Sequence, residues 1–334
     1  MIKENNMKYL NDVVNETREL LISNKEWRLR YADYAEKISN NLEVLRKIRQ
    51  SFRQWKPLMV YLNVSNAKRS STITLELRYR GQTIADLICK NSCQEVIINS
   101  SKYNKNNKRD FGCDIVLDKE DWKGLKAREF RKFFKTNPIR ENIKNKGNEE
   151  HRIESMLLTE FSKKSSNDKT LLNIQPVKIA NFRFPMPTPL SASDHKKVKY
   201  SASYGGGIDL LARIGTGGRA TYLCIMELKD ENKKSEPPLE ALKQSLVYTT
   251  FIRELLRSES GLKWWRLFGF KQDIPKKINL YSVCAMPSNS LNDKSFEDKE
   301  IKIDNDIIKL NYIYFIEEDN IIKNFDTSLY IKKL

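Results

Sequence analysis

Tyr204-Gly205-Gly206-Gly207-Ile208-Asp209-Leu210-Leu211-Ala212-Arg213, followed beyond Gly215-Thr216-Gly217-Gly218 by Ala220-Thr221-Tyr222-Leu223-Cys224-Ile225-Met226-Glu227-Leu228-Lys229, is the stretch that decides the fold. Both arms are rich in aliphatic, β-branched and aromatic residues, and the glycines between them signal a turn, so the pattern predicts a β-hairpin. Side chains alternate faces along a strand. Glu227 and Lys229 therefore point the same way, while Leu228 points into the opposite layer. If the arms are symmetric about the glycine loop, Asp209 lies across from Glu227 or close to it, and two carboxylates and an ammonium converge on one patch.

Charge set into such apolar strands is costly to bury, and it usually serves chemistry. Two carboxylates that close repel each other unless a cation sits between them. A hard, oxygen-seeking ion suits them: Mg²⁺, or Mn²⁺ in its place, takes one or two carboxylates and shares its other positions with water and phosphate oxygens. A lysine beside such an ion can orient an attacking water or neutralise charge growing on a phosphoryl group.

Asp209 followed by Glu227-Leu228-Lys229 resembles the PD-(D/E)xK nuclease superfamily, with Ile208-Asp209 standing where the name has Pro-Asp. The segment Asn148-Glu149-Glu150-His151-Arg152-Ile153-Glu154-Ser155-Met156-Leu157-Leu158 resembles that superfamily's first core helix. Its assisting glutamate matches Glu154 best, with Glu150 one helical turn away as the alternative. Glu240 to Tyr248 resembles the helix after the Glu-x-Lys strand, where Gln244 matches a glutamine near the site. The resemblance spans roughly residues 148 to 290. It implies an α/β fold with a restriction-endonuclease-like mixed sheet flanked by helices, in the order αβββαβ. It also implies a Mg²⁺-dependent nuclease acting on nucleic acid, DNA first of all. In that scheme Asp209, Glu227 and the Leu228 carbonyl hold the metal, Lys229 positions water, Glu154 assists through metal-bound water, and Gln244 orients Lys229 or substrate. The alternative is a catalytically silent nucleic-acid-binding or assembly protein on the same fold.

Composition agrees with a polyanionic partner. Of 334 residues, 60 are Lys or Arg and 43 Asp or Glu, giving a formal net charge of +17 and a pI near 9.5. Such imbalance draws a chain to nucleic acid and makes the binding salt-dependent. Residues 1–150 hold +11 of that charge. No run of about eighteen apolar residues exists, and the first residues carry no apolar signal core, so the expectation is a cytoplasmic protein without a membrane partner. The cysteines at 89, 93, 113, 224 and 284 offer neither a disulfide framework nor a zinc pair. His151 and His195, the only two histidines, exclude histidine-rich metal chemistry.

Around this core the pattern predicts two domains, residues 1–141 and 148–334, the first helical plus antiparallel sheet and available for nucleic-acid recognition. Helical spacing runs from about Tyr9 to Ser51, with a break at Ser39-Asn40-Asn41. Strands are expected at Leu58–Val64, Thr72–Tyr79, Thr83–Cys89, Glu95–Ile98 and Asp114–Leu117. Asp121–Lys135 reads as an amphipathic helix with Trp122, Leu125, Phe130, Phe133 and Phe134 on or near its apolar side. Its Lys123, Lys126, Arg128, Arg131, Lys132 and Lys135 are candidate phosphate contacts, as is the basic loop Tyr103–Arg109. Leu171–Phe184 is expected as a single strand and Ser191–Ser203 as a mobile loop. Pro237-Pro238 opens a helix to about Arg257, and Ile278–Met286 and Ile307–Ile316 return as strands. A two-fold homodimer is the simplest arrangement for cutting both strands of a duplex.

Overall fold

The computed structural model describes residues 2–52, 56–65, 72–90, 95–103, 111–136, 146–163, 173–192, 197–218, 220–289 and 291–329. Trp55, most of the loop Tyr103–Arg109, His195 and Lys196 lie outside them. In chain order the elements begin with helices α1 (Ile2–Ser23), α2 (Glu26–Asn40) and α3 (Leu42–Ile48), and a 3-10 turn at Arg49–Phe52. Strands β1 (Met59–Ser65), β2 (Thr72–Tyr79), β3 (Gln82–Lys90), β4 (Glu95–Asn99) and β5 (Glu120–Asp121) follow, then α4 (Leu125–Thr136) and α5 (Lys146–Glu160). Short strands come next: β6 (Ile174–Pro176), β7 (Lys178–Ile179), β8 (Phe182–Arg183), β9 (Met186–Thr188), β10 (Leu190–Ser191), β11 (Lys199–Tyr200) and β12 (Gly206–Ile208). The chain closes with β13 (Leu210–Gly217), β14 (Ala220–Leu228), α6 (Pro238–Leu256), α7 (Gly261–Leu267), β15 (Asn279–Pro287), β16 (Glu300–Ile303), β17 (Asp306–Glu318) and β18 (Ile321–Asp326). This is a mixed α/β protein. No helix among the described residues is long and apolar enough to cross a membrane.

Two compact units form, both discontinuous in sequence. One takes Met1–Ala35, Met156–Val177 and Pro185–Leu334; the other takes Glu36–Ser155 and Lys178–Phe184. The sequence pattern suggested a linear division between 141 and 148 instead. The difference lies in α1, whose buried Leu10, Val13, Val14, Thr17 and Leu21 recur at helical spacing and whose helix packs on α6.

In the first unit, a sheet runs β16-β17-β15-β14-β13-β6, with β18 added along β17. β6, β13 and β14 are antiparallel neighbours, whereas β14, β15 and β17 run parallel. The parallel strands are covered on both faces, which is why Leu223–Leu228 is buried at every position. α6 lies across β14, β15 and β17. Ser245 is the seam of that packing: its hydroxyl donates to the Ile225 carbonyl at 2.9 Å and accepts the Val283 N–H at 3.0 Å. Tyr31 stacks edge-on to Phe251 with centroids 5.0 Å apart, and its carbonyl accepts the Trp264 indole N–H at 3.0 Å. Trp264 and Trp265 are buried in α7, which packs on α6.

The second unit is built on a meander, β1 to β4, with every neighbour antiparallel. Arg80 and Gly81, at φ +48° and +79°, make the two-residue turn between β2 and β3 that right-twisted strands prefer. Asp114–Leu117 forms no strand; Leu117 is tied instead to Ser100, whose N–H donates to the Leu117 carbonyl at 2.9 Å. Within the described residues, Leu171–Phe184 is three short strands rather than one. Ala180 and Asn181, at φ +49° and +65°, turn β7 back on β8, which then pairs with β1, whereas β6 pairs with β13. α4 starts at Leu125, which is 74% exposed, and Arg131 is the unexpected buried residue. Its guanidinium stacks 3.8 Å from the Trp122 ring centroid and donates to the Trp122 carbonyl at 2.6 Å. Arg131 therefore holds a loop together and is removed from the phosphate-contact candidates. Arginine can do this because its flat, weakly hydrated head stacks on an aromatic face.

Candidate functional site

β13 and β14 place the first carboxylates. Their register pairs Leu210 with Met226 and Leu211 with Ile225, so the next step toward the open end sets Asp209 opposite Glu227. Gly215 permits this register at the closed end: its φ is +127°, and a Cβ there would sit 1.9 Å from the Ala220 carbonyl oxygen. Ile208 and Leu210 are each 1% exposed, and Asp209 between them is half-buried on the other face. Its Oδ2 accepts the Leu228 N–H at 2.9 Å. That bond fixes the aspartate against the end of the neighbouring strand.

Glu227 is only 2% exposed, and its Oε1 accepts from Lys229 Nζ at 3.1 Å. Strand parity puts the pair on one face. Lys229 is anchored in turn by its N–H, which donates to the Ala285 carbonyl at 3.1 Å and extends the parallel pairing of β14 with β15. Asp209 and Glu227 each bring a carboxylate oxygen within 4.8 Å of the other's. Three of the residues read from sequence are thus brought together, at the C-terminal edge of the parallel strands, where open α/β sheets bind ligands.

Gln244 stands in the second turn of α6 and is buried; its Nε2 donates to the Tyr248 hydroxyl at 3.4 Å. Tyr248 is the residue that the sequence reading left without a role. Burial, then the negative charge of Glu227, and also that of Asp209, push its phenol well above the ordinary tyrosine value, against the lowering effect of Gln244. It faces the acids as a neutral hydroxyl. The i, i+4 spacing of Gln244 and Tyr248 was the available signal. Gly206 belongs to the same wall, since a Cβ there would stand 3.1 Å from the Tyr248 hydroxyl. Cys284, beside Glu227 in the register of β14 and β15, is pushed above the ordinary thiol range, by burial first, and stays a thiol.

The segment leading into the site is held from α2. Arg30 donates to the carbonyls of Ala202 and Ser203, the latter at 2.7 Å. Ser191–Ser203 is therefore not loop throughout: Lys199 and Tyr200 pair with β10, and Lys197 and Lys199 are exposed.

Glu150 and Glu154 both stand on α5, in the stretch belonging to the second unit. Glu150 is half-buried. Glu154 is buried, with Oε2 3.4 Å from His151 Nδ1, and its charge raises the pKa of both Tyr61 and Arg78. That carboxylate helps compensate Arg78 of its own unit, and Arg183 of β8 donates to Tyr61 and Ser155. Comparison with protein-family models, with curated proteins and with solved structures gives no match.

Proposed function

We propose that the chain is a divalent-metal-dependent phosphodiesterase acting on nucleic acid, DNA first of all, built on a restriction-endonuclease-like core. The observation that carries this reading is the meeting of Asp209 and Glu227, oxygens within 4.8 Å, with Lys229 bonded to Glu227 at 3.1 Å. Topology supports it too. With the short strands β7 to β12 set aside, α5, β6, β13, β14, α6 and β15 follow in the order αβββαβ expected of that superfamily, with β13 antiparallel to β6 and β14 and with β15 parallel to β14.

The donor set fits Mg²⁺ or Mn²⁺. It is hard oxygen only, held on rigid strand ends, with one carboxylate almost wholly buried. Asp209 and Glu227 would hold the ion, with the Leu228 carbonyl added by resemblance. A bound ion there supplies Lewis-acid stabilisation of the phosphoryl oxygens and a more acidic water. The chain's own groups do the remaining work. Lys229 sets its amine beside Glu227, its backbone anchored by the Ala285 bond, where it can orient water and offset charge growing on phosphate. Tyr248 and Gln244 present neutral donors to the same wall.

The internal bonds of Asp209 to Leu228 and of Glu227 to Lys229 also suit a second reading, a silent nucleic-acid-binding protein whose lysine simply neutralises an acid. One assay separates the two. Plasmid, linear duplex, single strands and RNA are incubated with Mg²⁺, with Mn²⁺ and with chelator. Cleavage that needs metal and is lost in Asp209→Ala is the expected result. Binding without cleavage in every condition selects the silent protein, and cleavage unchanged by Asp209→Ala rejects the assignment.

A further inference from the structure

The second unit holds a basic cleft away from any residue given a role above. Its volume is about 310 Å³, at the small end for ligand sites, and it is lined by Arg46, Arg49, Gln50, Lys178 and Asn181. No carboxylate is among those lining residues. Two separate pieces of the chain make it. Arg46, Arg49 and Gln50 come from α3 and the 3-10 turn after it, and Lys178 and Asn181 come from the β7–β8 hairpin. The hairpin turn is fixed by the positive φ of Ala180 and Asn181. Arg49 is oriented by donating Nε–H to the Asn181 carbonyl at 3.3 Å and by lying 5.8 Å from the Phe182 ring centroid.

We infer that this cleft is a binding site for a phosphate group. The lining offers two guanidinium forks, an ammonium and two amide side chains, a donor-rich set that matches an oxyanion with three or four acceptor oxygens. Placing three cations around one concavity is unfavourable in isolation, and an anion between them removes the repulsion. The surroundings of Lys178 bear this out: desolvation first, then the charges of Arg183 and Arg49, hold its ammonium below the ordinary lysine value. Arg46 is ion-paired with Glu43 one turn back on its helix, but both are well exposed, and such a pair gives way readily to a ligand. The inference goes beyond the hydrolytic reading and does not depend on Asp209 or Glu227.

The phosphate can be a backbone phosphodiester or a free one, and the test distinguishes these. The full-length chain is titrated in chelator, first with a fluorescein-labelled 12-base-pair duplex and then with inorganic pyrophosphate. Wild type, Asp209→Ala and the double variant Arg46→Gln/Lys178→Gln are compared, with circular dichroism confirming the fold of each. The expected result is binding by wild type and by Asp209→Ala, and at least a roughly tenfold loss in the double variant, with a shallower dependence on salt. Competition between pyrophosphate and duplex marks a site for a free or terminal phosphate, while duplex binding that pyrophosphate does not displace marks a backbone contact. Equal affinity and equal salt slope in the double variant, or no binding of either probe by wild type, overturns the inference.

Discussion

Two charge clusters stand at opposite edges of the sheet in the first unit, and α6 reaches both. At the N-terminal edge of the parallel strands, Arg18, Arg253 and Arg257 meet Glu254, Asp304 and Asp306. Asp306 is 1% exposed and accepts from Arg253 at 2.8 Å, from Arg257 and from the Ile278 N–H at 2.8 Å. At the C-terminal edge stand Asp209, Glu227 and Lys229, two carboxylates to one ammonium, with neutral Gln244 and Tyr248 beside them. The first cluster matches three guanidinium groups with three carboxylates in fork-like contacts, the arrangement that stabilises a fold. The second places like charges together on rigid strand ends. On the proposed reading, the first edge serves structure and the second chemistry.

The comparison can be broken from either side. Asp306→Ala takes the shared acceptor from the buried Arg253 and the exposed Arg257, and should cost about 1–3 kcal/mol of stability while cleavage per folded molecule is unchanged; urea unfolding and an active-fraction assay read the two quantities. Glu227→Gln should do the reverse. It is expected to lower metal-dependent cleavage by about 10²–10³-fold with little change in the urea midpoint. Equal losses of stability and activity in both variants would erase the distinction.

Acid sharpens it further. Burial alone would raise the Asp306 carboxyl, but hydrogen bonds from Arg257, the Ile278 N–H and Arg253 outweigh that and hold it below the ordinary aspartate value. A carboxyl depressed on folding contributes stability that is present above its unfolded value, about 3.9, and is lost as pH falls through the lower folded value. Wild type should therefore lose stability below about pH 4 more steeply than Asp306→Asn, when urea unfolding is followed from pH 7 to pH 3. The smallest effect belongs to Tyr248→Phe. Removing one neutral hydroxyl beside the acids should slow cleavage by roughly two- to tenfold, the worth of a single neutral hydrogen bond, with KM little changed. A loss as large as that of Glu227→Gln would make Tyr248 a direct participant.

What could be read from sequence was local. The hairpin of β13 and β14, the parity of Glu227 and Lys229 and the proline start of α6 depend on neighbours within a few residues, and their patterns stand in the chain. What could not be read was set by partners distant in sequence. Arg131 looks like a surface charge until Trp122 supplies its stacking face. Leu171–Phe184 looks like one strand because nothing in its apolar run reveals that β6 pairs with β13 while β8 pairs with β1. α1 looks like part of the segment after it, yet its buried stripe packs on α6, more than 200 residues away. The candidate site was legible in its strand residues.

The most direct measurement is Mn²⁺ binding, followed by electron paramagnetic resonance of the free ion during titration of the full-length chain. Wild type should take up Mn²⁺ competitively with Mg²⁺, and both Asp209→Ala and Glu227→Gln should weaken that uptake at least tenfold while keeping the wild-type circular dichroism spectrum. Uptake by wild type that neither substitution alters, or no uptake at millimolar Mn²⁺, would contradict the assignment of this corner as a metal-dependent catalytic centre.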